Sequence, residues 1–293
     1  MISHLTISVL VWDPSPEMFS FDIPFLGRPI LWYGFFFALG FFLGFWVFLY
    51  FLKEAFRTHA SKKKKEISQP RTIAERLLLY ILCGTIIGAR LGDVIFYQNW
   101  KDAIHHPLSI FKIWEGGLAS HGGAIGVMIA LWLFWRRSKE DFKGFSGLEL
   151  LDLVVIPTCL VASSIRIGNF FNQEILGHPT HVAWGVIFGH PADGSAPLPR
   201  HPVQLYESAA YLVLFIFLAL LWKFKPHFRK GGKISGLFFI LLFSSRFVLE
   251  FFKEEQSALL SAGSPLTMGQ YLSLPFIVLG CFLLFWKREK KKM

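Results

Sequence analysis

The sequence predicts an all-α membrane protein that crosses the bilayer about seven times and forms one integral membrane domain over residues 1–293. Hydrophobic residues make up 53% of the 293 residues, and 33 of them are Phe. The mean hydropathy of +0.47 is higher than that of most soluble domains. Several apolar runs are long enough to cross a hydrocarbon core of about 30 Å as helices. Basic residues concentrate in alternate loops, as in polytopic proteins.

The first three spans are predicted near 31–52, 77–97 and 118–135. The first begins with Trp32 and Tyr33, which are typical of the aromatic belt at a membrane boundary. The second contains Arg90 and Asp93, whose separation of three residues favours an ion pair within one helix. The third begins with a glycine-rich stretch that suits close helix packing.

The remaining four spans are predicted near 149–166, 203–222, 234–252 and 268–286. The fourth span contains Pro157, which a membrane helix tolerates as a kink if its neighbours satisfy the freed carbonyl. Ser146 precedes this span and is interpreted as a helix N-cap. Near the end of the sixth span, Arg246 and Glu250 are four residues apart and are expected to share a helix face.

The distribution of basic residues predicts the orientation. The loops after spans one, three, five and seven hold 22 of the 30 Lys and Arg residues. The positive-inside rule then predicts an extracytoplasmic N-terminus, a cytoplasmic C-terminus and an extracytoplasmic loop over 175–200. The net charge of +10 therefore belongs mainly to the inner membrane face, and a nucleic-acid partner is not expected.

Polar residues of six spans fall at the same depth. Helices rise about 1.5 Å per residue, which converts sequence position into depth. The predicted depths place seven residues in the outer half of the bilayer: Tyr33, Arg90, His121, Arg166, Glu207, Arg246 and Glu250. Because ionisable groups are costly in lipid, this convergence predicts one site that faces the extracytoplasmic leaflet.

The most informative stretch runs from Ser163 to Gly177. Arg166 offers a planar fork suited to phosphate, Asn169 and Asn172 offer amides, and Glu174 offers an acceptor or a counter-charge. The alternative is a polar cluster that only caps the helix end. Four polar groups in nine residues are dense for capping, which favours a ligand or a reaction.

His121 and Gly122 open the third span. A histidine can accept a proton near neutral pH, so His121 is a candidate general base, and a hydrogen-bonded interfacial histidine is the alternative. Gly122 allows close approach of a lipid or of a neighbouring helix. The remaining histidines have no clear ligand spacing and the three cysteines stand singly, so neither a metal nor a disulfide is predicted.

Together these residues resemble the prolipoprotein diacylglyceryl transferase family of bacterial inner membranes. The family signature is matched by Ile165-Arg-Ile-Gly-Asn-Phe-Phe-Asn-Gln-Glu-Ile-Leu-Gly177, with Ile165 where the family has glycine. Leu242 stands where some members have tyrosine. Further motifs follow in the family's order from about residue 10 to 287: Leu31-Trp-Tyr-Gly34, Gly88-Ala-Arg-Leu-Gly92, Trp114-Glu-Gly-Gly117, His121-Gly-Gly123, Arg200-His-Pro-Val-Gln-Leu-Tyr-Glu207, Ser235-Gly-Leu-Phe238, Glu250-Phe-Phe252 and Met268-Gly-Gln270.

The resemblance implies transfer of the diacylglyceryl group from phosphatidylglycerol to the lipobox cysteine of a preprolipoprotein, without a cofactor or metal. It implies a catalytic set of His121, Arg166 and Arg246. The implied substrate-binding residues are Tyr33, Gly122, Arg166, Asn169, Asn172, Glu174 and Glu250. Two other classes remain open from the residues alone. A transporter would also concentrate charge in the membrane, although broken helices in repeated halves are not visible, and a non-catalytic lipid-binding protein could use the same pocket.

Overall fold

A computed structural model describes residues 10–19, 29–60, 69–96, 119–142, 145–255 and 264–285. Within these ranges it is mainly helical, and the predicted all-α class is confirmed. The seven long helices of the described part are α1 (Trp32–Ala60), α2 (Pro70–Phe96), α3 (Ser120–Arg137), α4 (Gly147–Phe171), α5 (Val203–Phe224), α6 (Lys233–Leu249) and α7 (Met268–Phe285).

Each helix overlaps one predicted span. Among the described residues, all but α3 meet the length and apolar composition required of a candidate membrane span. Helix α2 begins at Pro70, seven residues before the predicted start, because proline suits the first helical position and Arg71 pairs with Glu75 at 2.8 Å. Helix α4 continues five residues beyond its predicted end and therefore includes Asn169.

The contacts divide the chain into two compact units. The first unit comprises Met1–Val47 and Leu148–Met293, and the second comprises Phe48–Gly147. The predicted single domain over residues 1–293 stays a prediction, and so does the orientation of the termini.

Glycines on α2 and α3 bring the two helices of the second unit into close contact. A Cβ atom added to Gly84 would lie 2.6 Å from the carbonyl oxygen of Gly126, and one added to Gly92 would lie 2.7 Å from the Cα of Gly122. Such distances leave no room for a side chain. The predicted ion pair on α2 is confirmed, since Arg90 Nη1 lies 3.4 Å from Asp93 Oδ2 and both residues are buried.

Helix α4 is the most buried candidate span among the described ones and has close neighbours in the first unit. Gly40 and Gly44 of α1 face Ser164 and Val161 of α4. On the side toward α5, the Ser163 hydroxyl lies 2.8 Å from the Ser208 hydroxyl, and each also bonds the other residue's backbone carbonyl. These contacts fix the part of α4 that carries Arg166.

Asp152 of α4 caps the N-terminus of α6. Its carboxylate accepts hydrogen bonds from the backbone N–H of Gly232 at 3.0 Å, the N–H of Ser235 at 2.8 Å and the Ser235 hydroxyl at 2.7 Å. The carboxylate thereby satisfies N–H groups that a helix start leaves unpaired. Gly232 has φ of +82°, which glycine adopts without steric cost. The fully buried Asp152 thus couples the positions of α4 and α6.

A small sheet covers the end of α4. Strand β1 (Leu10–Trp12) pairs in parallel with β2 (Val186–Phe188), and β2 pairs antiparallel with β3 (Pro199–Arg200). Trp12 stacks on Phe170 with ring centroids 4.6 Å apart and donates to the Phe170 carbonyl at 3.1 Å. This sheet was not predicted, because strands of two or three residues carry too little periodicity to be detected.

Candidate functional site

The signature stretch leaves α4 through a tight turn. Arg166 and Asn169 are three residues apart and share a helix face. After α4 ends, Gln173 and Ile175 adopt positive φ angles of 51° and 60°. This turn carries Glu174 back over the helix end, where its Oε1 accepts a hydrogen bond from Asn169 Nδ2 at 2.7 Å and lies 3.5 Å from Asn172 Nδ2.

The side chain of Gln173 anchors the turn. Its Nε2 donates to Asp13 at 3.2 Å, and its Oε1 accepts from the backbone N–H of His190 at 2.8 Å. The hydrogen bonds from His190 and Gln173 lower the pKa of Asp13 below the ordinary aspartate value. From the other side, the buried Gln204 donates to the Glu174 carbonyl at 2.7 Å. Two residues in an uncommon backbone conformation are therefore held by neighbours on both sides.

Arg166 is placed by two acceptors. Its Nη1 donates to Asn169 Oδ1 at 3.0 Å, and its Nε lies 2.8 Å from Glu207 Oε2. The Glu207 side chain is only 1% exposed, so this ion pair is largely withdrawn from solvent. A guanidinium has five N–H donors, and these contacts leave others for a ligand. Tyr211 also lies beside the guanidinium.

Glu207 was predicted to lie at the same depth as Arg166 but was not identified as its partner. The two residues lie on different helices and are 41 positions apart in sequence, so no local spacing connects them. The only available signal was that a buried carboxylate on α5 requires a cation somewhere at the same depth.

Tyr33 completes the cluster. A Cβ atom added to Gly168 would lie 3.1 Å from Tyr33 Cδ2, so the missing side chain gives Tyr33 its place against α4. Tyr33 is also within electrostatic range of Glu174 and Arg166. The structure therefore brings together five of the predicted site residues: Tyr33, Arg166, Asn169, Asn172 and Glu174.

Arg246 and Glu250 are arranged differently from the expected pair. Helix α6 ends at Leu249, and Glu250 begins a short 3₁₀ turn, Glu250–Phe252. Among the described ion pairs, Glu250 Oε2 contacts Lys253 Nζ at 3.5 Å and not Arg246. Arg246 instead acts electrostatically on Tyr211 and Lys253, which places it in the neighbourhood of Arg166.

Lys253 is a buried cation that the sequence analysis did not select. Burial lowers the pKa of its ammonium, and the nearby carboxylates of Glu207 and Glu250 oppose this effect. The residue is 5% exposed. Lys253 directly follows the Glu-Phe-Phe motif at the end of α6, and a lysine in a connecting loop is usually exposed to solvent. The backbone of Lys253 pairs with that of Gly177 in an isolated antiparallel bridge, which holds the residue beside the signature stretch.

His121 and Gly122 belong to the second unit. His121 is the second residue of α3, and the position of its side chain lies outside the described residues, as does the motif Trp114-Glu-Gly-Gly117. Gly122 lies against Gly88 and Gly92 of α2. Its contacts support the helix-packing interpretation of this glycine.

Four rings form a cluster at the N-terminal end of α5. Trp184 Nε1 donates to the Tyr206 hydroxyl at 2.7 Å, and His201 Nδ1 lies 3.2 Å from the same hydroxyl. The His201 ring meets Phe252 at 5.2 Å between centroids. Partial burial, together with the nearby His178, lowers the pKa of His201. The neutral form of His201 is therefore favoured beside Tyr206.

The fold and the cluster around Arg166 define a multi-pass membrane protein. It holds a buried arginine–carboxylate network at the end of α4. Residues 20–286 match the family model described as prolipoprotein diacylglyceryl transferase. The chain belongs to this family, and the resemblance inferred from its motifs is confirmed. The curated relatives carry the name of a transferase.

Similar proteins include three named phosphatidylglycerol–prolipoprotein diacylglyceryl transferase. The protein of Protochlamydia amoebophila is 50% identical over 238 residues, covering 81% of this chain and 62% of that protein. The chain thus spans less than two thirds of that relative. The proteins of Tolumonas auensis and Chloroherpeton thalassium are each 41% identical, with coverage of 97% and 96% of this chain and 99% and 95% of their own lengths.

Proposed function

We propose that this protein transfers the diacylglyceryl group of phosphatidylglycerol to the lipobox cysteine thiol of preprolipoproteins. Membership of the transferase family and the names of its relatives support this activity. The observation that carries it is the arginine held in place between Asn169 and the buried Glu207 at the end of a candidate membrane span. A positioned guanidinium in a water-poor site suits a phosphate diester.

The proposed reaction is a displacement at carbon. The acceptor thiol loses its proton, and its sulfur forms a C–S bond with the glycerol carbon of the diacylglyceryl group. The C–O bond from that carbon to the phosphate breaks, and glycerol phosphate leaves with the electron pair. The products are a thioether and a phosphate monoester, and no oxidant or cofactor takes part.

Arg166 would stabilise the charge that grows on the phosphate oxygens as the C–O bond breaks. Such preorganised electrostatic stabilisation is usually the largest catalytic contribution. Glu207 and Asn169 hold two guanidinium nitrogens, so the remaining donors point in a fixed direction without reorganisation. Arg246 is proposed as a second cation for the same charge, and its position close to Tyr211 and Lys253 supports this role.

The remaining site residues are proposed to position the substrates. Tyr33, Asn172 and Glu174 border Arg166 and can bond the hydroxyl groups of the glycerol head. Glu250 is proposed to balance the cations. Gly122 is proposed to contribute indirectly, because it lets α2 approach α3 closely next to His121. His121 is proposed as the base that takes the thiol proton, on the sequence argument alone.

The protein is proposed to act in the bacterial inner membrane, with its site toward the periplasmic leaflet. A multi-pass character is supported by six helices in the described part of the chain that are long and apolar enough to cross a bilayer. The signal peptide of a preprolipoprotein would reach such a site from within the same membrane.

Transfer in a purified system tests the proposal. The full protein in detergent or nanodiscs would be mixed with radiolabelled phosphatidylglycerol and a lipobox peptide, with phosphatidylcholine as the donor control. We expect label on the peptide with phosphatidylglycerol only, and none when the peptide cysteine is replaced by serine. Binding of phosphatidylglycerol without transfer would favour a lipid-binding protein, and lipid movement without thioether formation would favour a transporter.

A further inference from the structure

An apolar groove follows the outward face of α2 and α3 in the second unit. Its volume is about 440 Å³, within the range of small-molecule sites. Its walls are apolar and largely exposed, for example Leu79 at 61%, Ile87 at 58% and Ile129 at 51%. The proposed transfer reaction does not use this groove.

The helix contact explains why the groove exists. Gly84 and Gly126 form its floor and have no side chains. The two helix backbones therefore touch at a point where side chains would separate other helix pairs. Larger residues on either side rise above this floor. Between Leu79 and Ile87 the groove extends eight residues along α2, about 12 Å at the rise of an α-helix. One leaflet's share of a hydrocarbon core about 30 Å thick is only slightly larger.

One end of the groove is basic. Arg137, one turn beyond the groove residue Leu133, is exposed and donates to the hydroxyl of Tyr80 at 3.3 Å. The neighbouring Arg136 is also exposed, and its guanidinium lies 5.0 Å above the Trp132 ring. The nearby carboxylate of Asp141 is paired with Arg76 at 2.5 Å. Two positive charges therefore stand where the apolar groove ends.

We propose that this groove binds an anionic phospholipid, with an acyl chain along the glycine floor and the head group on Arg136 and Arg137. Basic residues beside membrane helices attract anionic head groups, and each one near the membrane surface adds appreciably to the binding free energy. Arg137 is held by Tyr80 in the direction of the groove end, and Arg136 is held by Trp132. The site lies on the second unit, whereas Arg166 and Glu207 lie on the first.

Cys83 provides a built-in probe. It lines the groove and is exposed, whereas Cys159 is buried and Cys281 lies on α7. The experiment follows alkylation of Cys83 by N-ethylmaleimide in a purified Cys281→Ser protein, by mass spectrometry. Phosphatidylserine or phosphatidylcholine with identical acyl chains is added to the detergent-solubilised protein. Phosphatidylserine is anionic and is not the proposed donor, so failure of the proposed transfer does not affect this test.

We expect phosphatidylserine to slow alkylation at concentrations where phosphatidylcholine has little effect. In the Arg136→Gln/Arg137→Gln variant, the lipid concentration required should rise about tenfold or more, the size expected for two arginines near a membrane surface. Arg57→Gln is the matched control, because Arg57 is exposed on α1 and pairs only with Glu54 among the described ion pairs. A Cys83→Ser protein that retains Cys281 should show no preference between the two lipids.

Three results would overturn the proposal. Equal protection by both lipids would mean that the groove has no head-group selectivity. Unchanged protection in the double arginine variant would place the head group elsewhere. Protection that rises with protein concentration and not with anionic lipid would place a second copy of the chain on this face.

Discussion

At the scale of single residues, two arginines within candidate membrane spans have carboxylate partners. Arg166 pairs with Glu207, and Arg90 pairs with Asp93. A buried charge without a partner has a large desolvation cost, so removal of one member is more harmful than replacement of both. The pairs in the first unit also set the direction in which guanidinium donors point. Geometry as well as charge is therefore expected to matter at Arg166.

Arg166→Lys tests this expectation. Lysine keeps the charge but cannot contact Glu207 and Asn169 together and still present a planar fork to phosphate. We expect transfer to fall about 100-fold, the scale of a misplaced catalytic group. The measurement is the rate of diacylglyceryl transfer by purified protein. Arg76→Lys, at a partly exposed ion pair, is the control and should retain activity. Near-parental transfer by Arg166→Lys would exclude a geometric role for the Arg166 guanidinium.

His121→Gln tests the proposed base. Glutamine keeps a hydrogen-bonding side chain but cannot accept a proton near neutral pH. We expect single-turnover transfer to fall about 10²–10⁴-fold, as is typical when a general base is lost, with little change in phosphatidylglycerol affinity. Arg166→Ala should weaken both, because its partner is already charged in the ground state. Poor donor binding by His121→Gln with normal turnover at saturation would assign the histidine a binding role.

At the scale of elements, long apolar runs made the helices predictable, whereas contacts between distant elements were not. Asp152 illustrates the difference. The sequence around it is typical of a membrane helix, and its role as the cap of α6 became visible only in the fold. Glu250 illustrates the limit of local spacing. Glu250 lies one helix turn after Arg246, and its backbone N–H donates to the Arg246 carbonyl, but its carboxylate pairs with Lys253 and not with Arg246.

Helix packing in the second unit depends on individual glycines. A Cβ atom on Gly126 would collide with the carbonyl of Gly84, so Gly126→Ala should push α2 and α3 apart and cost about 1–3 kcal/mol, as overpacking does. Gly123→Ala is the matched control, since its Cβ would meet Ala89 at an ordinary 3.5 Å. Thermal unfolding in detergent measures both. Equal midpoints for the two variants would contradict a close contact at Gly126.

At the scale of the whole molecule, the site proposal depends on orientation. The prediction that polar groups meet in the outer half of the bilayer was inferred from the direction in which each span runs. In the first unit, Tyr33, Arg166 and Glu207 come from three different helices and meet. Groups at the beginning of α1, the end of α4 and the beginning of α5 can meet only if adjacent spans run in opposite directions. This alternation agrees with the charge rule, which alone predicts which side is the periplasm.

Cysteine labelling in whole cells tests that side. In a protein whose native cysteines are replaced by serine, Ala196→Cys lies in the exposed loop before β3, and Lys64→Cys lies in the basic loop after the first span. We expect a membrane-impermeant maleimide to label position 196 in intact cells and position 64 only after the cells are broken. The reason is that 22 of 30 basic residues flank the same predicted face, and basic loops are retained in the cytoplasm. The reverse pattern would put Arg166 at the cytoplasmic leaflet, where a secreted lipobox cysteine does not arrive. The proposed acceptor would then have to be abandoned even if the arginine–carboxylate network binds phosphatidylglycerol.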